Sequence, residues 1–132
     1  MANPKINSIL DEANRLFLQG KFQEAITYYD KILDEDSKHI SSLNNKGYAL
    51  SKLKDFTNAM KCYDAALQIC PDDLSVLINK ISSFRKQGSL IEALSVCNNI
   101  LKDNPNYNVV LYHKERILSS MGKFNESILC CN

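Results

Sequence analysis

QGKFQEA (Gln19–Ala25), LKDFTNA (Leu53–Ala59), QGSLIEA (Gln87–Ala93) and MGKFNES (Met121–Ser127) follow one another at a constant spacing of 34 residues. Gly20, Gly88 and Gly122 stand in register, and Lys54 takes the corresponding place in the second segment. An aromatic or aliphatic residue follows each (Phe22, Phe56, Leu90, Phe124), and a small one comes three further on (Ala25, Ala59, Ala93, Ser127). Four positions beyond lie Tyr29, Tyr63, Cys97 and Cys131. Upstream, Leu16, Leu50, Phe84 and Leu118 match, as do Ile9, Leu43, Leu77 and Leu111. So many registered positions mark an internal repeat.

Within each unit the apolar positions recur at helical spacing, which predicts two amphipathic helices. The glycine lets the chain make a left-handed turn between them at little steric cost. Ala25, Ala59 and Ala93 are small enough to let the second helix approach the first. Pro71 and Pro105 close the second and third units and Ser37 closes the first, while Asp72, Asp73 and Asn106 are placed to cap the following helix. First helices are predicted near 5–19, 40–53, 74–87 and 108–121, and second helices near 22–35, 56–69, 90–103 and 124–131. The fold class is all-α: one array over 1–132 of stacked antiparallel hairpins, with units at about 6–39, 40–73, 74–107 and an incomplete 108–132.

A chain of 132 residues that is 45% hydrophobic has material for one compact domain. Sixteen Lys and Arg against 15 Asp and Glu leave a formal charge of +1, so no global field points to nucleic acid or membrane. MANPKINSILDEANRLF shows no basic segment leading into an apolar core, and no stretch approaches the roughly 20 apolar residues that span a bilayer. A cytoplasmic protein is expected. Cys62, Cys70, Cys97, Cys130 and Cys131 form no Cys-x-x-Cys pair, and His39 and His113 lie at unrelated places. Neither a disulfide framework nor a zinc site is expected, and the thiols read as small buried hydrophobes. No cofactor is called for.

The repeat closely resembles the tetratricopeptide repeat family, whose period is about 34 residues. The resemblance runs from about Ile6 to the C-terminus. It implies a right-handed superhelix, a solenoid whose concave face is lined by the first helix of each unit. It also implies a non-catalytic interaction module, an adaptor or scaffold that holds an extended peptide or partner protein in that groove. Two departures matter. Where many members carry an apolar residue before the small residue of the first helix, this chain has Glu12, Lys46, Lys80 and Lys114. The fourth unit also stops inside its second helix at Asn132, without the polar capping helix that normally ends an array. The second expectation is therefore an assembly segment of something longer, or self-association through the open C-terminal hairpin.

By the resemblance, the groove-facing positions are Asn7, Leu10, Asp11 and Asn14, then Ser41, Asn44, Asn45, Tyr48 and Lys52. The third unit gives Ser75, Ile78, Asn79, Ser82 and Lys86, and the fourth Val109, Tyr112, His113 and Arg116. Chaperone-binding members clamp a peptide's C-terminal carboxylate with three cationic residues and two asparagines. Asn14 and Asn45 match the asparagines, but Leu10, Ser75 and Asn79 stand at the cationic places, so the charge-assisted donors are missing. A clamp for chaperone tails is not expected. Asn45 and Asn79 occupy the same groove position 34 residues apart, with Asn14 and Asn44 nearby. Related superhelices, including the repeat region of an O-linked sugar transferase, use such a ladder on a peptide backbone, whose N–H and C=O an amide can match. Solvated polar residues on an exposed helix face are the plainer reading. Lys46, Lys80 and Lys114, with Lys52, Arg85, Lys86 and Arg116, read as stems covering apolar surface more than as an inward acid-binding set. Tyr48 and Tyr112 read either as packing residues or as interface anchors.

Catalysis needs converging groups, and none assemble: no phosphate loop, His-Glu-x-x-His or Gly-x-Ser-x-Gly occurs. Asp34, Glu35 and Asp36 read as a solvated linker, His113 beside Arg116 as an ordinary groove residue, and Cys130–Cys131 as core. Asn125-Glu126-Ser127 fits a glycosylation sequon by accident.

Overall fold

The computed structural model describes the backbone of residues 3–130 and the side chains of residues 3–122. Cys131, and the side chains of Phe124, Asn125, Glu126, Ser127 and Cys130, lie outside the described residues. All regular structure there is helical: α1 (Pro4–Leu18), α2 (Phe22–Glu35), α3 (Ile40–Lys52), α4 (Phe56–Ile69), α5 (Leu74–Gln87), α6 (Leu90–Asp103) and α7 (Asn108–Cys130). The fold is all-α and tetratricopeptide-like. Two compact units divide within α5, the first reaching Asn79 and the second starting at Lys80.

The turns carry the same 34-residue period in their hydrogen bonds. Gly20 N–H donates to Phe17 and Lys21 N–H to Leu16; Lys54 donates to Ser51 and Asp55 to Leu50; Gly88 donates to Arg85 and Ser89 to Phe84. This paired closure satisfies the last carbonyls of the first helix and requires a left-handed residue at its centre. Gly20 and Gly88 supply it at φ 77° and 87°, and Lys54 is forced to 66°. An L-residue there costs about 1–2 kcal/mol, partly offset by the entropy glycine would lose on folding. Lys54→Gly is therefore expected to raise unit 1 stability by about 0.5–1 kcal/mol. An unchanged or lowered urea midpoint would contradict that strain.

The helix starts are held by side chains. Asn3 accepts from Lys5 N–H, His39 Nδ1 from Ser42 N–H, Asp55 from Asn58 N–H and Asp73 from Val76 N–H. Of the caps expected after the prolines, Asp73 is the one seen at α5.

In unit 1, α1 packs on α2, α2 on α3 and α3 on α4. One core gathers Ile6, Ala13, Leu16, Ala25, Tyr29 and Ile32; the next gathers Ile26, Leu43, Ala49, Leu50, Ala59, Cys62, Tyr63, Ala66 and Val76. Lys46 lies between helices, three-quarters covered, and its ammonium pairs with Asp30 on α2. The charge at a normally apolar place is thus compensated across the α2–α3 contact. Cys62 is buried beside it, and burial pushes its thiol up, with Lys46 pulling the other way.

Unit 2 packs α6 on α7. Here one expectation is corrected. A turn at Gly122 with a separate helix over 124–131 is predicted, but α7 runs on through Gly122 to Cys130. Glycine permits the left-handed turn without demanding it. In unit 1 the turn is stabilised because α2 and α4 fold back to bury an apolar face. At Gly122 the backbone ladder continues instead of turning.

Candidate functional site

The groove-facing residues of α1, α3 and α5 meet within unit 1. Asn14 Oδ1 accepts from the Tyr29 hydroxyl at 2.6 Å and from Asn45 Nδ2 at 3.4 Å. Asn44 Oδ1 accepts from Asn79 Nδ2 at 2.8 Å, and Asn44 Nδ2 donates to Ser75 Oγ at 3.1 Å. The asparagines therefore form two side-chain chains that tie neighbouring first helices together. Burial separates their roles. Asn44 is 9% exposed and uses both ends of its amide internally, so it works as a fastener. Asn14, Asn45 and Asn79 are half-buried. Asn14 Nδ2 and Asn45 Oδ1 take no part in these bonds, which leaves one donor and one acceptor on the linked pair.

Behind them, Tyr29 is fully buried, and loss of water pushes its phenol up to about 12, moderated by the neighbouring Asn45 amide. A neutral hydroxyl is thereby kept as the donor that orients Asn14. Further along α3, the Tyr48 ring packs on Phe17 of α1 at 5.2 Å, and Lys52 Nζ lies 5.4 Å from its centre. Asn45, Tyr48 and Lys52, three and four residues apart, share one stripe of the helix. Tyr48 is half-buried and Lys52 exposed.

In unit 2, Lys86 is exposed on α5, and the α7 residues gather into a cluster of their own. Arg85 of α5 places Nη1 at 3.2 Å from His113 Nδ1. Arg116 donates from Nη1 to the Tyr112 hydroxyl at 3.0 Å, with its guanidinium 5.6 Å from that ring. Tyr112 is 55% exposed and meets His113 edge-on at 5.8 Å. Burial and then the charges of Arg85 and Arg116 hold the His113 imidazole below its usual range, so it is neutral at neutral pH and accepts the Arg85 N–H.

A family model described as tetratricopeptide repeat matches residues 40–73, the span of α3 and α4. Solved tetratricopeptide domains superpose on most of the chain. The first TPR of Spaghetti (RPAP3) bound to HSP90 peptide SRMEEVD does so with a TM-score of 0.80 at 22% identity, over 92% of this chain and 97% of that one. The Sgt2 TPR domain from Aspergillus fumigatus gives 0.82 at 14% identity, over 94% and 83%.

The chain is a tetratricopeptide-repeat protein.

Among curated relatives, this tetratricopeptide chain is 30% identical over 95 residues to the probable UDP-N-acetylglucosamine–peptide N-acetylglucosaminyltransferase SPINDLY of Solanum lycopersicum. That match covers 72% of this chain and 10% of the relative. The tetratricopeptide chain spans about a tenth of the length of the curated relatives it matches. Leu18 is a surface feature that the residue pattern alone passes over. It is 83% exposed at the end of α1, on the stripe Asn7–Asp11–Asn14–Leu18. The signal was present as an apolar residue four positions after Asn14. Among the described residues no helix is long and apolar enough to cross a membrane.

Proposed function

We propose that the chain is a peptide-binding module in which the first-helix face of unit 1 holds an extended segment of a partner protein. The observation that carries this is the Asn14–Asn45 pair. Its unspent donor and acceptor match the C=O and N–H of one extended residue. Leu18 and Tyr48 offer apolar contact on either side, and Lys52 a charge. Asn44 and Asn79 support the face from within. Within unit 2, Tyr112, His113, Arg116 and Lys86 are proposed as a separate set of peptide contacts. Each amide contact is worth about 0.5–1.5 kcal/mol net, so a segment using a few of them binds at about micromolar strength. The match over 95 residues to a relative named as a peptide-modifying sugar transferase and a peptide-bound structural neighbour support the reading. A cytoplasmic setting agrees with the unpaired, buried thiols of Cys62 and Cys97.

The mode proposed is backbone recognition without a carboxylate clamp. Leu10 is half-buried, Ser75 accepts from Asn44, and Asn79 donates to Asn44, so these three positions offer no cation to a chain terminus. The heptapeptide SRMEEVD, which the Spaghetti domain holds, separates the modes. Its free acid and its C-terminal amide are expected to bind this chain within about twofold of each other, where a clamp loses one charge-assisted contact on amidation. A tenfold preference for the free acid would overturn the clamp-free mode. Decapeptides selected from a displayed random library then test the site itself. Asn45→Ala with Tyr48→Ala is expected to weaken them about tenfold or more while helicity stays unchanged. Selected peptides that bind this variant as tightly as the wild type would remove unit 1 as the binding face.

A further inference from the structure

The charges of the two units are managed differently. In unit 1, Lys46 is answered by Asp30, Arg15 by Glu12 and Lys5 by Glu35. In unit 2, Arg85 of α5 reaches His113 and Arg116 reaches the adjacent Tyr112, both arginines act electrostatically on His113, and neither pairs with a carboxylate among the described residues. We propose that this face, formed by Arg85, Tyr112, His113 and Arg116, binds side-chain carboxylates of an acidic peptide segment in a partner protein.

Holding two guanidinium groups at the neighbouring residues Tyr112 and His113 costs Coulomb energy unless an anion arrives to share them. The groups present suit a carboxylate. Each guanidinium is a planar fork that can meet both oxygens at once, and it sheds water more readily than an ammonium. Each arginine is tethered by one side-chain hydrogen bond, to His113 or to Tyr112, so N–H donors remain on both. Tyr112, more than half exposed, supplies an aromatic surface for the chain that carries the acid. Val109, 46% exposed one turn earlier on α7, extends that surface.

The surrounding field agrees. His113 is influenced by Arg85 and Arg116, and the buried Cys97 thiol by Lys114 and Arg85; no anion contributes at either place. At Cys62 in unit 1, by contrast, Lys46 is balanced by Asp30 and Asp55. An acidic segment would therefore meet a local positive field although the whole chain carries only +1. A bound carboxylate also draws His113 toward its charged form, so the acid and a proton bind cooperatively.

The probe is hexaglutamate blocked at both ends, with blocked hexaglutamine as the neutral control, applied to the full chain. Hexaglutamate is expected to bind, to weaken about tenfold between 50 and 300 mM salt, and to raise the His113 titration midpoint followed by NMR. Hexaglutamine is expected to bind at least tenfold more weakly. Arg85→Gln with Arg116→Gln is expected to cost hexaglutamate tenfold or more, while Arg85→Lys with Arg116→Lys recovers only part of it. The unit 1 variant Asn45→Ala with Tyr48→Ala should leave hexaglutamate binding unchanged, which keeps this outcome separate from that of the peptide face. The inference is overturned if the double Gln variant binds hexaglutamate like the wild type, if hexaglutamine binds equally, or if only the unit 1 variant loses the acid.

Discussion

Gly47→Leu is expected to remove about 3 kcal/mol or more from the stability of unit 1, and Gly47→Ala about 1–2 kcal/mol. Gly47 sits in the middle of α3, where alanine would ordinarily gain nearly 1 kcal/mol over glycine. The reversal comes from Tyr63 of α4. A Cβ at position 47 would lie 2.6 Å from Tyr63 Cε1 and 2.9 Å from Cδ1, well inside contact distance. The ring cannot swing aside, because Tyr63 is fully buried in the core with Ala59, Ala66 and Leu50. Overpacking of a closed site therefore outweighs the helix propensity. Urea denaturation monitored by circular dichroism measures the loss. Truncating the ring in Gly47→Ala/Tyr63→Leu should cost less than the sum of the two single changes, since the cavity of one accepts the methyl of the other. A stabilised Gly47→Ala, or strict additivity in the double variant, would show that the helices do not meet there.

The same pair shows how far the sequence could be read. The helix periods and turn residues are local, and the observed helices from α1 to α6 end within a residue of the expected ranges. Even the irregular Lys54 could be placed, since its neighbours hold the 34-residue register. What the pattern could not supply was distance between helices. That Gly47 is small because a ring lies over it becomes visible only when α3 and α4 pack. Gly122 is the converse case: it carries the turn signal, yet the backbone runs through it as helix, because glycine allows the left-handed turn without imposing it.

The candidate site divides along the same line. The positions of Asn14, Asn44, Asn45 and Asn79 follow from the repeat, and so does the stripe of Asn45, Tyr48 and Lys52. Whether an amide faces a ligand or another amide is decided by a few ångströms between helices 31 to 35 residues apart in sequence. Packing turned Asn44 inward as a fastener and left Asn14 and Asn45 each with one group to spare. Lys46 shows the same dependence. Its position was legible as an unusual charge, but its partner Asp30 lies on the preceding hairpin.

Tyr29 links the core to that face, and its removal should be the most damaging change in α2. Tyr29→Ala deletes a fully buried ring from the core of Ile6, Ala13, Leu16, Ala25 and Ile32, and is expected to cost about 3–5 kcal/mol. Tyr29→Phe keeps the ring but leaves Asn14 Oδ1 without its 2.6 Å donor, for about 1–2 kcal/mol at neutral pH. The two variants also separate packing from proton chemistry. The folded protein holds the phenol near 12 against an ordinary value of 10, so folding favours the protonated form. Its contribution is complete below pH 10 and is lost as pH rises through 12. Two units correspond to about 2–3 kcal/mol. Wild type should therefore lose stability between pH 10 and 12 faster than Tyr29→Phe, and the two curves should meet near the upper end. Parallel curves over that range would mean that the hydroxyl titrates as if in water, and the oriented Asn14 amide would lose the anchor on which the peptide face depends.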